Sequence, residues 1–389
     1  MSSDTAVVRK HYAALDGLRG IAVLLVMWRH ASTSLAYYSD RWNDSLYASF
    51  TVLGSSGVTL FFVLSGFLIT SILIDTSDDP KCLRKFYIRR SLRIFPLYYL
   101  AIYLLLVLSG GNVSGFDFDA GMWYYIFYVE NIAILFNQNS ELYNKNSYVL
   151  FHHFWSLAVE EQFYLVWPVC FLFLYRRYSI KTCIVVALFA SLLSAFARYC
   201  MGFLYEGWFV AYTFTLTRLD GLLLGALLAC LFCKCEEEFK ILSQMAVKIL
   251  PILGGVIIFL VLVFSASSEN ISYMNTRYLL FLLSVFYMFL ITYVVSSDKQ
   301  TWFKSLCEVK FLTGIGTVSY GVYIFHWPVM SFVSGYFLRG EQWGYLPSHV
   351  FVLVVGGGAS ILLAIASYYL FERPILKLKD RFAGYTAQG

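Results

Sequence analysis

Residues 15–30 read LDGLRGIAVLLVMWRH and begin the first long apolar stretch of this 389-residue chain. The stretch carries Arg19 and His30, which are eleven residues apart. Eleven residues of α-helix make about three turns, so both side chains lie on one helix face, roughly 16 Å apart along the axis. Ionisable groups at membrane depth are unfavourable and are retained mainly for function. The pair therefore predicts a membrane helix that takes part in chemistry.

The composition is that of a membrane protein. Hydrophobic residues make up 59% of the chain and charged residues only 14%, far from the usual composition of soluble domains. The apolar runs are about 20 residues long and lack the alternation of barrel strands, so we expect an all-α polytopic membrane protein. About ten transmembrane helices are predicted, near 16–36, 51–75, 94–110, 151–175, 180–199, 211–233, 248–266, 277–296, 311–335 and 349–371.

One further segment, near 121–137, is ambiguous because it is short and carries Glu130 and Asn131. It either crosses the membrane or lies in the interface. If it does not cross, most of the 29 Lys and Arg residues fall on one side of the membrane, and such an excess marks the cytoplasmic side. The sequence therefore predicts cytoplasmic N- and C-termini, with 121–137 as an interfacial or re-entrant segment on the outer side.

Several polar residues from four predicted helices share a similar depth in the membrane. They are His30, Glu160, Glu161, Arg218, Asp220 and His326. Arg218 and Asp220 are two residues apart and do not face each other on a helix, so each needs a partner elsewhere. His152 and His153 lie at the predicted membrane boundary, where histidine and aromatic residues are common.

Arg90 and Arg93 lie three residues apart on one helix face, where a predicted span meets the cytoplasm. Paired guanidinium groups bind phosphates, although positive charges at this position also serve membrane orientation alone. In the stretch 57–70, GVTLFFVLSGFLIT, small residues such as Ser65 and Gly66 let another helix or an extended ligand approach closely.

The net charge of +5 follows from the basic cytoplasmic loops and does not indicate nucleic acid as a partner. These loops are where anionic lipid headgroups or a phosphorylated cofactor would bind. The cysteines lack the second ligand pair of a zinc site, so no metal is expected.

Seven motifs of the chain, taken in order, resemble those of the integral membrane acyltransferase family 3. They are Arg19-x10-His30, GVTLFFVLSGFLIT (57–70), Arg90-x2-Arg93, FWSLAVEEQFYLVWP (154–168), TRLDGLLLGALLA (217–229), SYGVYIFHWPV (319–329) and FERP (371–374). The resemblance implies a membrane O-acyltransferase. Members transfer an acyl group, most often acetyl from cytoplasmic acetyl-CoA, to hydroxyls of surface polysaccharides, peptidoglycan, signalling oligosaccharides or certain macrolides.

The resemblance also implies roles for individual residues, with His30 as the catalytic histidine and Arg90 and Arg93 near the acyl donor. O-acyl transfer needs a base and a stabilised oxyanion, and we expect His30 as the base, oriented by Glu160 or Glu161. His326, Arg218 and Asn131 are alternatives for the oxyanion or the acceptor. The predicted site residues are His30, Glu160, Glu161 and His326 for catalysis, Arg19, Arg90, Arg93 and Ser65 for the donor, and Arg218, Asp220, Asn131 and His153 for the acceptor.

Two features depart from the family. Many relatives carry an acidic residue where this chain has Thr59, so any role of that acid is absent here. Several relatives continue into an esterase-like periplasmic domain, whereas this chain is expected to resemble the stand-alone branch. We expect residues 1–375 to form the membrane acyltransferase domain of an inner (cytoplasmic) membrane protein and residues 376–389 a short cytoplasmic tail.

The expected partners are acyl-CoA, a glycan or lipid-linked glycan acceptor, and membrane lipids. A covalent route, in which the acyl group first rests on His30 or Ser65, is an alternative to direct transfer. A small-molecule acceptor such as a macrolide is also compatible with the family. A polytopic transporter or exporter of glycan or lipid is the rival class, but the first five predicted helices do not resemble the last five, so no inverted repeat is visible.

Overall fold

The computed structural model describes residues 12–36, 50–108, 118–136, 153–204, 208–265, 278–296, 301–338 and 343–378. Within these ranges every regular element is helical, and no strand is present. The helices are α1 (Ala13–Ala36), α2 (Ser56–Asp75), α3 (Cys82–Leu108), α4 (Phe118–Ile126), α5 (Glu130–Phe136), α6 (Trp155–Arg177), α7 (Ile180–Leu204), α8 (Trp208–Thr213), α9 (Leu219–Lys234), α10 (Glu236–Ser265), α11 (Leu280–Ser296), α12 (Trp302–Cys307), α13 (Lys310–Thr317), α14 (Ser319–Phe337), α15 (Tyr345–Phe351), α16 (Gly357–Ser367) and α17 (Arg373–Leu376).

Short turns of other helical types extend some of these elements. A 3₁₀ turn at Val52–Ser55 leads into α2, and another at Thr215–Thr217 precedes α9. π-helical turns at Val352–Gly356 and Tyr368–Glu372 join α15, α16 and α17 into one continuous rod.

Five helical stretches of the described residues are long and apolar enough to cross a membrane. They are Leu53–Asp75, Trp155–Arg177, Ile180–Leu204, Glu236–Val263 and Tyr345–Leu376. The described residues thus form an all-helical membrane protein with five candidate spans, and the count of ten spans stays a prediction. Of the other predicted spans, two contain helices that are short, because α9 and α11 have 16 and 17 residues.

The structure also shifts some predicted boundaries. Helix α3 begins at Cys82, before the predicted span that starts near residue 94, and Arg90 and Arg93 lie on this helix, as the sequence predicts. The predicted span 211–233 is divided into α8, a 3₁₀ turn and α9. The predicted span 311–335 is likewise divided into α13 and α14 around Val318.

Helix α2 is central and packs closely against α9. In its candidate span 78% of the apolar window is buried, against 17% in the span of α10. A Cβ atom placed on Gly66 would lie 1.8 Å from the carbonyl oxygen of Leu222, and one on Gly225 would lie 2.1 Å from that of Val63. Only glycine fits at these two positions, which lets the two backbones approach closely.

The predicted interfacial segment forms two short helices rather than one span. Helices α4 and α5 have nine and seven residues, whereas crossing a bilayer takes about 20 residues. The hydroxyl groups of Tyr98 and Tyr99 in α3 donate hydrogen bonds to the carbonyl oxygens of Tyr125 and Ile126, at 2.9 and 3.0 Å. The end of α4 therefore packs beside α3. Residue 137 lies outside the described residues.

The C-terminal ends of α2 and α6 lie on the same side of the bundle. Arg176 Nη2, in the last turn of α6, donates a hydrogen bond to the carbonyl oxygen of Ser77, 2.5 Å away in the turn after α2. From the first turn of α3, the Lys85 ammonium donates to Asp79 Oδ2 in the preceding turn at 2.7 Å and holds the pKa of that carboxyl below its ordinary value. These contacts fix the start of α3, which carries Arg90 and Arg93.

Candidate active site

A cavity of about 700 Å³, a volume that includes its open mouth, lies between α1, α2, α3, α6 and α14. Polar groups from four of these helices line it together. They are Arg19, Ser65, Arg90, Arg93, Glu160 and Glu161. The structure thus brings the four residues predicted to bind the donor to one place, beside the two predicted carboxylates.

Local contacts hold these side chains at the cavity wall. Ser65 Oγ donates a hydrogen bond to Glu160 Oε1 at 2.7 Å, which joins α2 to α6. The guanidinium of Arg90 lies 5.0 Å from the ring centre of Tyr164, a cation–π distance. Arg19 Nη1 lies 3.0 Å from Asp16 Oδ1 one turn earlier in α1. The cavity therefore presents three guanidinium groups on a wall that also carries acids.

A pair of histidines lies eleven residues further along α1. His30 Nδ1 and His326 Nε2 are 2.6 Å apart, and the two ring planes are within 4° of each other. The coplanar rings place the hydrogen bond along a nitrogen lone pair. His326 is fully buried in α14, and Trp327 packs edge-on against the ring of His30 at 4.9 Å.

The contact made by the second ring nitrogen of His326 determines which nitrogen carries the proton in each of the two rings. His326 Nδ1 lies 2.7 Å from the carbonyl oxygen of Tyr323, and a carbonyl oxygen only accepts, so this nitrogen carries a proton. In the neutral ring, Nε2 of His326 must then accept from Nδ1–H of His30. The remaining nitrogen of a neutral His30, Nε2, carries the lone pair that a general base needs.

His153 completes a cluster of three histidines. Its ring centre lies 6.4 Å from that of His30 and 5.0 Å from that of His326. Its carbonyl oxygen lies within hydrogen-bond distance of Ser156 Oγ and of the hydroxyl of Tyr323, at 3.1 and 3.0 Å, and these two hydroxyls also contact each other. The cluster is therefore tied to Ser156 and Tyr323, both of which line the cavity.

The two predicted carboxylates lie in the cavity rather than at the ring nitrogen of His30. Glu160 is engaged by Ser65, and the position next to His30 Nδ1 is taken by His326. The expected orientation of His30 by Glu160 or Glu161 is thus replaced by a histidine pair. The sequence could not distinguish these arrangements, because the register between α1, α6 and α14 is set by packing.

The residues predicted for the acceptor are dispersed. Asp220 Oδ2 forms a fully buried ion pair with Arg198 Nη2 at 2.8 Å, which ties α9 to α7. Asn131 donates to Thr215 Oγ1 at 2.7 Å and accepts from Gln162 Nε2 at 2.9 Å. Both side chains hold helices together. Arg218, in contrast, is buried among aromatic rings.

Sequence reasoning missed several residues of the site. Arg198 was detectable, because an arginine within an apolar helix requires a partner, and its partner is Asp220. Ser156 and Tyr323 gave no signal, because hydroxyl groups are common in membrane helices and only the fold brings these two together. Among the described residues, no group of three His, Cys, Asp or Glu side chains is placed to hold a metal ion.

Comparison with known proteins assigns the class. Residues 12–369 match a family model described as "Acyltransferase domain". The chain therefore belongs to this acyltransferase family, and the resemblance predicted from the seven motifs is confirmed.

Individual relatives carry a more specific name. O-acetyltransferase OatA of Staphylococcus aureus strain NCTC 8325 is 29% identical over 374 residues, which cover 95% of this chain and 58% of the relative. The OatA protein of S. aureus strain MW2 gives the same values. The chain thus spans 58% of the length of these curated relatives. No solved structure matches the chain.

Proposed function

We propose that this chain is a membrane O-acetyltransferase that moves acetyl from cytoplasmic acetyl-CoA to a hydroxyl of a cell-surface carbohydrate or its lipid-linked precursor. The acyltransferase family and the name of the O-acetyltransferase relatives support the reaction class. One observation carries the proposal. Helix α1 carries both parts of the proposed site. His30, whose Nε2 has the lone pair, lies toward one end of α1 and pairs with His326, and Arg19 lies toward the other end and lines the cavity.

The cavity has the side chains that the donor requires. The guanidinium groups of Arg19, Arg90 and Arg93 would bind the nucleotide phosphates of acetyl-CoA, because guanidinium forks match phosphate oxygens. Arg19 and His30 are roughly 16 Å apart along α1, a length comparable to the pantetheine arm. The thioester would therefore reach His30 while the nucleotide stays at the arginines.

The chemistry follows from the proton positions. Nε2 of His30 takes the proton of the acceptor hydroxyl as its oxygen attacks the thioester carbonyl carbon. The C–S bond then breaks, and the imidazolium returns its proton to the CoA thiolate. His326 accepts the hydrogen bond from His30 Nδ1–H and stabilises the imidazolium form, as the third group of a triad does. The products are an acetyl ester and free CoA.

The proposed path needs a defined orientation in the inner membrane. We propose a topology of ten spans with cytoplasmic termini, in which α4 and α5 lie on the outer side of the membrane. The contact between Arg176 and Ser77 supports it, because α2 and α6 then end on the same, basic side. Donor and acceptor would meet from opposite faces of the membrane.

The direct test is acetyl transfer by the purified full chain. The protein in detergent is incubated with radiolabelled acetyl-CoA and a panel of surface glycans, and label is expected in alkali-labile esters on a glycan. Transport without labelling of the glycan, measured in vesicles, would contradict the enzyme and favour an exporter. Label that stays on the protein in the absence of any glycan would instead favour the covalent route.

A further inference from the structure

Arg218 is a buried cation with no carboxylate partner in the described part of the chain. The residue is 1% exposed. Its Nη2 donates to Thr59 Oγ1 at 3.3 Å, whereas Nε and Nη1 are buried with no hydrogen-bond partner among the described residues. Asp220, the nearest acid along the chain, is bound by Arg198. A buried charge left uncompensated is strongly unfavourable, so an anion that is not among the described residues would complete this site.

The surroundings of Arg218 hold the guanidinium without neutralising it. Its Cζ atom lies 5.1, 5.2 and 5.7 Å from three ring centres, those of Tyr212, Phe62 and Trp155. Ring faces attract a cation, but they carry no formal charge and accept no strong hydrogen bond. Nε and Nη1, which have no partner among the described residues, therefore keep the capacity for charge-assisted hydrogen bonds to an oxyanion.

This aromatic box adjoins the cavity. The ring of Phe62 lines the cavity and also contacts Arg218. Trp155 is followed by Ser156, which lines the cavity and bonds the hydroxyl of Tyr323. A ligand bound at Arg218 would thus be separated by the ring of Phe62 from the cavity in which the donor is expected to bind.

A second guanidinium connects the box to the catalytic histidine. Arg29 directly precedes His30 in α1, and its Nη1 donates to Thr51 Oγ1 at 3.2 Å. Tyr212 lies within electrostatic range of both Arg29 and Arg218. Because Arg29 directly precedes His30 in α1, positive charge lies next to the proposed base and favours a negatively charged acceptor.

We propose that Arg218 and its aromatic box bind an oxyanion of the acceptor, so that the acceptor is an acidic saccharide carrying a carboxylate or a phosphate. This inference rests on the proposed function only in assigning the ligand to the acceptor. The negative group binds at Arg218 and positions a neighbouring hydroxyl near Nε2 of His30. A neutral glycan of the same size lacks this anchor.

The first experiment measures binding without requiring activity. The purified full chain is heated with sodium glucuronate, glucose 6-phosphate or methyl glucoside, each at about 10 mM and equal ionic strength. Binding at ten times the dissociation constant raises the unfolding midpoint by about 2 °C. We expect such a rise with glucuronate, with glucose 6-phosphate or with both, and none with methyl glucoside. The two acids distinguish a carboxylate from a phosphate.

Two variants test whether the rise in the unfolding midpoint depends on Arg218. Arg218→Gln removes the charge, and Thr59→Asp places a carboxylate beside Nη2 that occupies the guanidinium from within. Both should abolish the rise, and Thr59→Asp keeps the test valid if Arg218→Gln does not fold. Thr59→Asn, which adds no charge, and Arg177→Gln, on an exposed arginine of α6, should retain it.

An equal midpoint with acids and with methyl glucoside would overturn the inference. An unchanged rise in Arg218→Gln or Thr59→Asp would do so as well. The acetyl-transfer assay is scored separately. Anion binding at Arg218 without any acetyl transfer would contradict the proposed function but not the anion site. Acetyl transfer to neutral and acidic glycans at equal rates would contradict only the acidic acceptor.

Discussion

At the scale of single residues, the hydrogen bonds of His326 define the chemistry. The carbonyl oxygen of Tyr323 fixes the proton on Nδ1 of His326, and His326 in turn fixes the proton on Nδ1 of His30. Neither ring needs a carboxylate to reach this state. The arrangement gives His30 Nε2 the lone pair required of a general base.

In the proposed mechanism His326 acts through His30, so we assign it a positioning role. We expect His326→Ala to lower kcat by about 100-fold or more, because an unoriented base loses most of its general-base effect. His326→Gln keeps an acceptor near the position of Nε2 and should recover part of the loss. The measurement is kcat for acetyl transfer with both variants. Equal loss in the two variants would contradict the positioning role.

The arginines that line the cavity lead to a prediction about binding of the acyl donor. Replacing both Arg90 and Arg93 with alanine should raise the KM for acetyl-CoA by about 100-fold and change kcat much less, because charge-assisted hydrogen bonds contribute about 1.5–3 kcal/mol each. Initial rates at varied acetyl-CoA concentration give both constants. Arg84→Ala, an exposed arginine in the same helix, is the control. An unchanged KM in the double variant would contradict the anchor.

At the scale of helices, the site depends on how closely α2 approaches its neighbours. Gly66 faces the Leu222 carbonyl oxygen, and its neighbour Ser65 bonds Glu160 at the cavity wall. The contact that packs α2 against α9 therefore also sets the position of a wall of the cavity. This coupling explains why small residues lie next to polar ones in the stretch 57–70.

A methyl group at Gly66 should destabilise the protein. Its Cβ would lie 1.8 Å from backbone oxygen, and such overpacking costs about 1–3 kcal/mol or more. We expect Gly66→Ala to lower the midpoint of thermal unfolding in detergent by several degrees. Gly358→Ala, where a Cβ meets nothing within 4 Å, should leave it unchanged. Equal midpoints for the two variants would show that the close approach is not required.

The same helices show how much the sequence could predict. Motif order and apolar composition predicted the family, the all-helical class and the gathering of Arg19, Arg90 and Arg93. The partner of His30 was not predictable, because it depends on the relative register of α1 and α14. The breaks before α9 and at Val318 were also missed, since the hydropathy of 211–233 and 311–335 stays high across them.

At the scale of the whole molecule, the bundle has a buried centre and an apolar outside. The span of α2 is 78% buried, whereas those of α7 and α10 are 22% and 17% buried, and their exposed side chains include Phe189, Leu192 and Phe259. Exposed apolar faces of this kind suit contact with lipid chains. The outer faces of α7 and α10 are therefore the expected lipid contacts of the bundle.

The orientation of this bundle in the membrane can be tested by cysteine labelling. In a chain without its native cysteines, Asp78→Cys and Ser179→Cys should react with an impermeant maleimide only in permeabilised spheroplasts, because both turns belong to the predicted cytoplasmic side. Phe127→Cys, between α4 and α5, should react in intact spheroplasts. Labelling of position 127 only after permeabilisation would contradict the outer placement of α4 and α5.

The whole account depends on His30 as the base of an O-acetyl transfer. The most direct measurement is the NMR spectrum of surface glycans from cells that produce the native chain or His30→Ala at equal membrane levels. We predict O-acetyl signals with the native chain and their loss in the variant, with thermal unfolding of the purified variant unchanged. Full O-acetylation of the glycan in cells that produce His30→Ala would contradict the account.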